Sequence, residues 1–230
     1  MTRLSIALLT ATLMTLGSNV HAQASPWVAG KHYTVLPKPQ HTNVAAGKIE
    51  VMEVFSYGCP ACNHFRPIMA KLKASLPANA QMVYLPASWN AAENWPTFQR
   101  AYLTAQALGV ADKAHDKMFD AIWTTGELGV LDPNDQSKLK KTLPSIDDIA
   151  QFYQSTTGVK AADFVAASKS FGVDVKARQA DNQILAMQVA STPTLVINGK
   201  YRINNDALHT GDDVIQLVNF LVAKESAAAK

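Results

Sequence analysis

Hydrophobic and polar positions follow two periods along the chain, one typical of strands and one typical of helices. Together they predict strands near both ends of the chain and a block of helices between them. Residues 49–55 and 81–85 are short runs dominated by apolar, strand-forming side chains, which predicts two strands. Between these runs, apolar residues recur at helical spacing from Cys59 to about Leu76. Pro67 lies inside this pattern, and we expect it to kink the helix without ending it.

A long block with helical spacing follows the second predicted strand. From Trp95 to about Phe171, apolar residues recur every three or four positions, and no strand is predicted. Ser145 and Asp148 form a capping box inside this block, which marks the start of one of its helices. We therefore expect an all-helical insertion between two parts of the sheet.

The last part of the chain returns to the sheet. A helix is predicted over 173–188, and it is followed by two short strands, 194–197 and 200–203. Asn198-Gly199 lies between these strands and is the dipeptide most typical of a two-residue hairpin turn. A final amphipathic helix is predicted to begin after Thr210.

The first residues have the organisation of an export signal. Arg3 supplies a positive charge, and residues 4–16 form an apolar stretch that is too short to cross a bilayer, which needs about 20 residues. We expect cleavage after Ala22, with Ala24 as a second candidate and a buried N-terminal helix as the competing interpretation. The chain then divides into a leader, the first part of an α/β domain, the helical insertion and the second part of the α/β domain: residues 1–22, 23–92, 93–171 and 172–230.

Composition narrows the classes of function that the 230 residues can support. With 48% apolar and 17% charged side chains, the chain is neither disordered nor fibrous. The formal net charge is only +3 and the basic residues are scattered, so a nucleic-acid-binding surface is not indicated. Two cysteines are too few for a disulfide scaffold or a four-thiolate metal site.

The candidate chemistry lies in Cys59-Pro60-Ala61-Cys62, at the point where a strand runs into a helix. A structural staple, a zinc site that includes His64 and two unpaired buried thiols are the alternatives. The spacing favours a redox-active dithiol. At a helix N-terminus, free backbone N–H groups and the helix dipole stabilise the thiolate of Cys59, and Cys62, one turn on, can donate its S–H to that sulfur.

Two further features bear on this dithiol. Glu53 lies in an apolar strand, so it either faces solvent at a sheet edge or lies beneath the cysteines and exchanges protons with Cys62. Thr192-Pro193 precedes the third predicted strand, and an ordinary X–Pro bond in a folded protein is cis in only about 5–6% of cases.

In combination these features resemble the DsbA family. The resemblance rests on Glu53, the Gly58–Cys62 turn, Thr192-Pro193, the hairpin over 198–201 and the helical block, and it covers essentially the whole chain after the leader. It implies a thioredoxin fold, which is an α/β fold with a central mixed sheet flanked by helices, interrupted by an all-helical domain. It also implies a thiol:disulfide oxidoreductase of the periplasm.

The resemblance assigns roles to individual residues. Cys59 is the sulfur that substrate attacks, Cys62 is the resolving thiol, and Glu53 is the buried acid. Pro193 is implied to be cis and to face the cysteine pair. We expect Thr192 to offer backbone hydrogen bonds to an extended substrate peptide. The expected substrate groove is shallow and is lined by Tyr57, Pro60, Ala61, Thr192 and Pro193.

The resemblance also implies partners. These are reduced or unfolded exported proteins and a quinone-linked membrane oxidase of the DsbB type that restores the disulfide. We expect a monomer that needs no tightly bound cofactor and no metal. A dithiol reductase, a disulfide isomerase and a peptide-binding chaperone with an incidental disulfide are the competing functions.

The sequence departs from the family's best-known oxidants at two positions. These oxidants carry His between Pro and the second Cys, whereas this chain has Ala61. We expect this chain to be the weaker oxidant, because a hydrogen-bond donor to the thiolate is missing. Arg66 stands where some relatives have an acid, and it favours the thiolate only if it points toward Cys59.

Overall fold

A five-stranded mixed sheet organises residues 26–228, the part of the chain that this computed structural model describes. The predicted leader over 1–22 lies outside the described residues. The sheet order is first, seventh, sixth, second and third strand, and only the second and third are parallel neighbours. The strands are β1 (Tyr33–Val35), β2 (Ile49–Phe55), β3 (Ala80–Pro86), β4 (Leu131–Asp132), β5 (Asp135–Leu139), β6 (Thr194–Ile197) and β7 (Tyr201–Ile203).

Helices cover both faces of this sheet and build a separate core on each. On one face, α1 and α7 pack against residues such as Val51 and Leu195, and on the other the remaining helices surround Met52 and Val54. β2 is buried along its whole length because it lies between these two layers. The helices are α1 (Pro60–Ser75), α2 (Trp95–Ala107), α3 (Ala111–Trp123), α4 (Ile146–Thr157), α5 (Ala161–Ser168), α6 (Phe171–Ala186) and α7 (Gly211–Ala228).

Local sequence signals account for several of these helix boundaries. The predicted capping box at the start of α4 is present, since Ser145 and Asp148 exchange side-chain and backbone hydrogen bonds. Thr210 and Asp213 exchange the same kind of bonds at the start of α7. Pro67 lies inside α1 without ending it, as predicted.

Three secondary-structure predictions need correction. The helical insertion is not all-helical, because β4 and β5 pair as a two-stranded antiparallel ribbon. This ribbon is short and its second strand is largely exposed, so it carries no apolar alternation that could reveal it. β1 was also not predicted, because it has only three residues and depends on pairing with β7. The helix predicted over 173–188 begins two residues earlier, because Phe171 is the first residue of α6. The divisions at 92/93 and 171/172 stay predictions.

The β6–β7 hairpin has the predicted Asn-Gly turn. Asn198 and Gly199 have φ values of 51° and 61°, which is the pair of positive angles that a type I′ turn requires. A Cβ on Gly199 would lie 2.3 Å from the backbone oxygen of Gln40. The turn therefore tolerates no side chain at its second position.

Gly199→Ala should lower the free energy of unfolding by more than Gly109→Ala. Both glycines have positive φ, but an added Cβ at Gly109 meets nothing within 4 Å. The control should therefore lose only the backbone strain of about 1–2 kcal/mol. Urea unfolding of the two variants measures the difference, and equal losses would show that the approach of Gln40 imposes no cost.

Candidate active site

The two cysteines lie where β2 turns into α1. The backbone N–H of Cys59 donates to the carbonyl of Ser56 at 3.1 Å, and the N–H of Gly58 donates to the Ser56 hydroxyl at 3.2 Å. This tight turn makes Cys59 the N-cap of α1, with Pro60 at the first helical position, where a missing N–H costs nothing. The sequence prediction of a cysteine at a helix N-terminus is confirmed.

The Cys59 thiol is held by two hydrogen bonds. Its Sγ accepts the backbone N–H of Cys62 at 3.3 Å and lies 3.4 Å from the carbonyl oxygen of Thr192, to which the protonated thiol donates. Hydrogen bonding from the Cys62 side chain, aided by backbone N–H groups, lowers the pKa of Cys59 to about 6. Cys59 therefore exists largely as the thiolate at neutral pH.

Cys62 lies deeper than Cys59, as predicted. Cys62 is 1% exposed and Cys59 is 5% exposed, and both are free thiols in this structure. Burial raises the pKa of the Cys62 thiol, and the neighbouring Cys59 thiolate raises it further. The pair thus combines an ionised outer sulfur with a protonated inner one.

Glu53 is buried, which decides between its two predicted placements. It is 4% exposed and pairs in register with Tyr84 of β3 and Leu195 of β6. Burial raises its pKa to about 8, and the negative charge at Cys59 adds to this shift. Glu53 and Cys62 both line a cleft of about 320 Å³ beside α1 and α3. Glu53 is therefore a protonated acid near the inner cysteine at neutral pH.

The residues around Cys59 form an exposed rim. Pro60 and Ala61 are exposed, and Thr192 and Pro193 are half-buried. The Thr192–Pro193 peptide bond is cis, as the resemblance implied. The carbonyl of Pro193 accepts a hydrogen bond from Asn205, which ties this loop to the segment after β7. Four of the five residues predicted to line the groove are thus accessible beside the reactive sulfur.

The prediction for the fifth residue, Tyr57, was wrong. Its side chain is 1% exposed and points into the core, where its hydroxyl lies 3.1 Å from Nδ1 of His115. The ring packs edge-on against Phe55 and Phe119. The Tyr57 side chain therefore does not line the rim, because residues of α3 pack against it in the core.

Arg66 does not point toward Cys59. Its guanidinium bonds Asp120 at 2.8 Å and Asp116 at 3.4 Å. It also lies over the ring of Phe119 at 5.4 Å. The charge of Arg66 is thus matched by acids of α3, which fixes α1 against α3.

Sequence patterns missed three residues that surround the redox turn. They are Trp95, His115 and Trp123, and each belongs to a helix far from the cysteines in sequence. Trp95 and His115 are buried, and Trp123 is half-buried. Their helical spacing predicts only that they face a core, so nothing in the sequence indicates contact with the turn.

Comparison with known proteins decides the family. The sequence model of the Thioredoxin family matches residues 43–216. The chain is 33% identical to the thiol:disulfide interchange protein DsbA of Pseudomonas aeruginosa, over 91% of this chain and 90% of that protein. It is also 33% identical to DsbA of Pseudomonas syringae pv. tomato, over 99% of this chain and 96% of that protein. The chain belongs to the DsbA family.

Solved structures agree with the sequence relatives. The crystal structure of DsbA from Xylella fastidiosa superposes with a TM-score of 0.74 at 32% identity, covering 87% of this chain and 98% of that one. DsbA of Pseudomonas aeruginosa gives a TM-score of 0.73 at 32% identity, covering 88% and 96%. The fold is therefore a thioredoxin fold, and the protein is a thiol:disulfide oxidoreductase.

Residues 26–228 contain neither a membrane-spanning helix nor a metal-binding cluster. None of the helices in this range has the length and apolar character needed to cross a membrane. The same residues contain no group of three or more His, Cys, Asp or Glu side chains placed to hold a metal ion.

Glu53→Gln should change how stability depends on pH. The pKa of Glu53 is raised from 4.5 to about 8 in the folded protein, so the folded state retains a proton that the unfolded state releases. Its contribution to stability is present below pH 4.5 and is lost as the pH rises toward 8. The variant should therefore lose less stability between pH 5 and pH 8 than the parent, by on the order of a few kcal/mol.

Urea unfolding of the reduced protein at the two pH values measures this effect. Glu127→Gln removes an exposed carboxyl and serves as the control, which should follow the parent. Identical pH slopes for Glu53→Gln and the parent would mean that Glu53 is not a protonated acid in the folded protein.

Proposed function

We propose that the chain introduces disulfides into reduced, unfolded exported proteins by exchange through Cys59 and Cys62. The observation that carries this proposal is the asymmetry of the pair, in which an acidic outer sulfur lies above a buried, protonated one. An acidic thiol is a good leaving group, so a mixed disulfide at Cys59 is released readily toward substrate. The direction of electron flow is thus from substrate to this protein.

The exchange proceeds in two displacements. A substrate thiolate attacks Sγ of Cys59 in the oxidised pair, the Cys59–Cys62 bond breaks, and Cys62 leaves as a thiolate. Glu53, protonated at neutral pH, supplies the proton that Cys62 takes up. A second substrate thiolate then attacks the substrate sulfur of the mixed disulfide and expels Cys59 as a thiolate. Substrate has lost two electrons, and the cysteine pair has gained them.

We propose that substrate lies as an extended chain on the rim around Cys59. The rim is uncharged, since it consists of Pro60, Ala61, Thr192 and Pro193. The main chain at Thr192 already approaches Sγ of Cys59 to 3.4 Å, so a peptide paired with it places its own sulfur in reach. Recognition through backbone groups and a small apolar surface suits many different unfolded clients.

Turnover requires that the reduced pair be oxidised again. We propose a quinone-linked membrane oxidase of the DsbB type as the acceptor of the two electrons, with the protein acting as a periplasmic monomer. This location agrees with the export signal predicted over 1–22 and its cleavage after Ala22. Cys59 and Cys62 are the two cysteines of the sequence, and both lie beyond the predicted leader.

Cys59→Ser should abolish oxidation of a reduced, unfolded test protein. Cys62→Ser, mixed with a test protein that already contains a disulfide, should instead trap a stable mixed disulfide. The Cys59 thiolate attacks that disulfide and expels one test-protein thiolate, and the variant lacks the Cys62 thiol that would attack Sγ of Cys59 and reverse the step. Stopped-flow fluorescence and non-reducing gels follow the two outcomes. A Cys59→Ser variant that retains function would identify a chaperone, and a pair found mostly reduced in freshly lysed cells would identify a reductase.

Ala61→His should make the protein a stronger oxidant. The imidazole adds a hydrogen-bond donor to the Cys59 thiolate, a bond of about 1.5–3 kcal/mol, which corresponds to about 30–60 mV in reduction potential. Ala61→Phe adds a ring without an N–H and is the matched control. Equilibration with glutathione measures all three potentials, and equal values for Ala61→His and the parent would refute the expectation.

A further inference from the structure

The turn that carries Cys59 is held from outside by residues of the helical insertion. We propose that Trp123 and His115 of α3, together with Trp95 of α2, are positioning residues that fix this turn and so control the reactivity of Cys59. The inference rests on the proposed role of the Cys59–Cys62 pair. It assigns the insertion a part in the redox chemistry, beyond covering one face of the sheet.

Helix α3 holds both ends of Tyr57. The indole Nε1–H of Trp123 donates to the backbone carbonyl of Tyr57 at 2.8 Å. Two turns earlier on the same helix face, Nδ1 of His115 lies 3.1 Å from the Tyr57 hydroxyl. Phe119 lies between these two residues on α3 and packs edge-on against the Tyr57 ring at 5.0 Å. The backbone and the side chain of Tyr57 are thus fixed by one helix face.

Helix α2 restrains the next residue of the turn. The ring of Trp95 packs against Gly58 so closely that a Cβ there would lie 2.7 Å from two ring atoms. The indole N–H of Trp95 donates to Glu93 at 3.2 Å, which fixes the orientation of the ring. Gly58 therefore has no room to move toward α2.

A third contact joins α3 to α1 just beyond the cysteine pair. Arg66, one turn after Cys62, bonds Asp120 and Asp116 on the α3 face that adjoins the His115–Trp123 face. Its Nη2 also donates to the backbone carbonyl of Asp116 at 3.1 Å. Helix α3 thus contacts Tyr57, which precedes Cys59, and Arg66, which follows Cys62.

These contacts affect the hydrogen bonds of the Cys59 sulfur. Its two hydrogen bonds, to the N–H of Cys62 and the carbonyl of Thr192, come from different parts of the chain. The Cys62 N–H stabilises the thiolate, whereas the Thr192 carbonyl accepts only from the protonated thiol. Both contacts depend on direction as well as distance, so a small rotation of the turn that moves the sulfur from the N–H toward the carbonyl raises the pKa of Cys59. The bonds formed within the turn come from Ser56, which rotates with it. The contacts from α2 and α3 therefore add to the β2–β6 pairing, in which Val54 faces Thr194, in fixing the turn relative to Thr192.

Trp123→Phe is the test, because it keeps most of the ring and removes the N–H donor. Thiolate absorbance and the rate of iodoacetamide alkylation follow the titration of Cys59, and we expect a midpoint near 6 in the parent. In the variant it should rise by about half a unit or more, which is about a threefold smaller thiolate-to-thiol ratio at a fixed pH. The equilibrium with glutathione should shift toward the oxidised protein in the same proportion.

Two further variants separate positioning from general stability. Arg100→Met removes hydrogen bonds to Ser168 and Asp174, which do not contact the turn, so it should lower the melting temperature and leave the Cys59 titration unchanged. Tyr57→Phe removes only the hydroxyl that meets His115, and it should raise the Cys59 midpoint even if Trp123→Phe does not fold.

The inference is overturned if Trp123→Phe and Tyr57→Phe lose thermal stability but keep the parent's Cys59 titration and glutathione equilibrium. In that case the contacts only hold the insertion in place. This outcome is distinct from failure of the proposed function, which is decided by Cys59→Ser in the oxidation assay. A normal titration together with an inactive Cys59→Ser variant would refute the positioning role alone.

Discussion

The hydrogen bond from the backbone N–H of Cys62 to the sulfur of Cys59 is the interaction on which the chemistry depends. It makes the reactive sulfur the cap of a helix, so an N–H group that the helix would otherwise leave unpaired stabilises a negative charge. The bond exists only while Cys59 stands one residue outside the helix. Pro60 favours this arrangement, because it can begin a helix but carries no N–H of its own.

The two sulfurs have pKa values shifted in opposite directions, although they lie within one four-residue segment. Cys59 faces the rim and gains hydrogen bonds in its charged form, whereas Cys62 lies against the core and is penalised when charged. Glu53 resembles Cys62 in this respect, since burial raises its pKa and its carboxyl keeps its proton at neutral pH. Exchange requires this difference, because one sulfur must leave easily and the other must take up a proton.

The sheet and the helical insertion each contribute to the position of the redox centre. β2 and β6 bring Glu53, the cysteine turn and the Thr192–Pro193 loop to one end of the sheet. The insertion packs on the sheet face opposite α7, and the redox turn belongs to the core on that face. Helices α2 and α3 contact the turn there through Trp95, His115 and Trp123. The part of the protein that is absent from a minimal thioredoxin fold is thus in contact with the residues that carry the redox centre.

The sequence by itself determined the strand–helix order, the capping boxes, the Asn198-Gly199 turn and the dithiol at a helix start, because each follows from the conformational preferences of neighbouring residues. It could not place Tyr57, whose exposure depends on what α3 packs against, nor find β1 or the β4–β5 ribbon, which exist through pairing rather than through local pattern. Whether Glu53 is buried, and which helix holds the turn, was decided only by tertiary structure. Burial and long-range hydrogen bonds join residues far apart in the chain, and no local period records them.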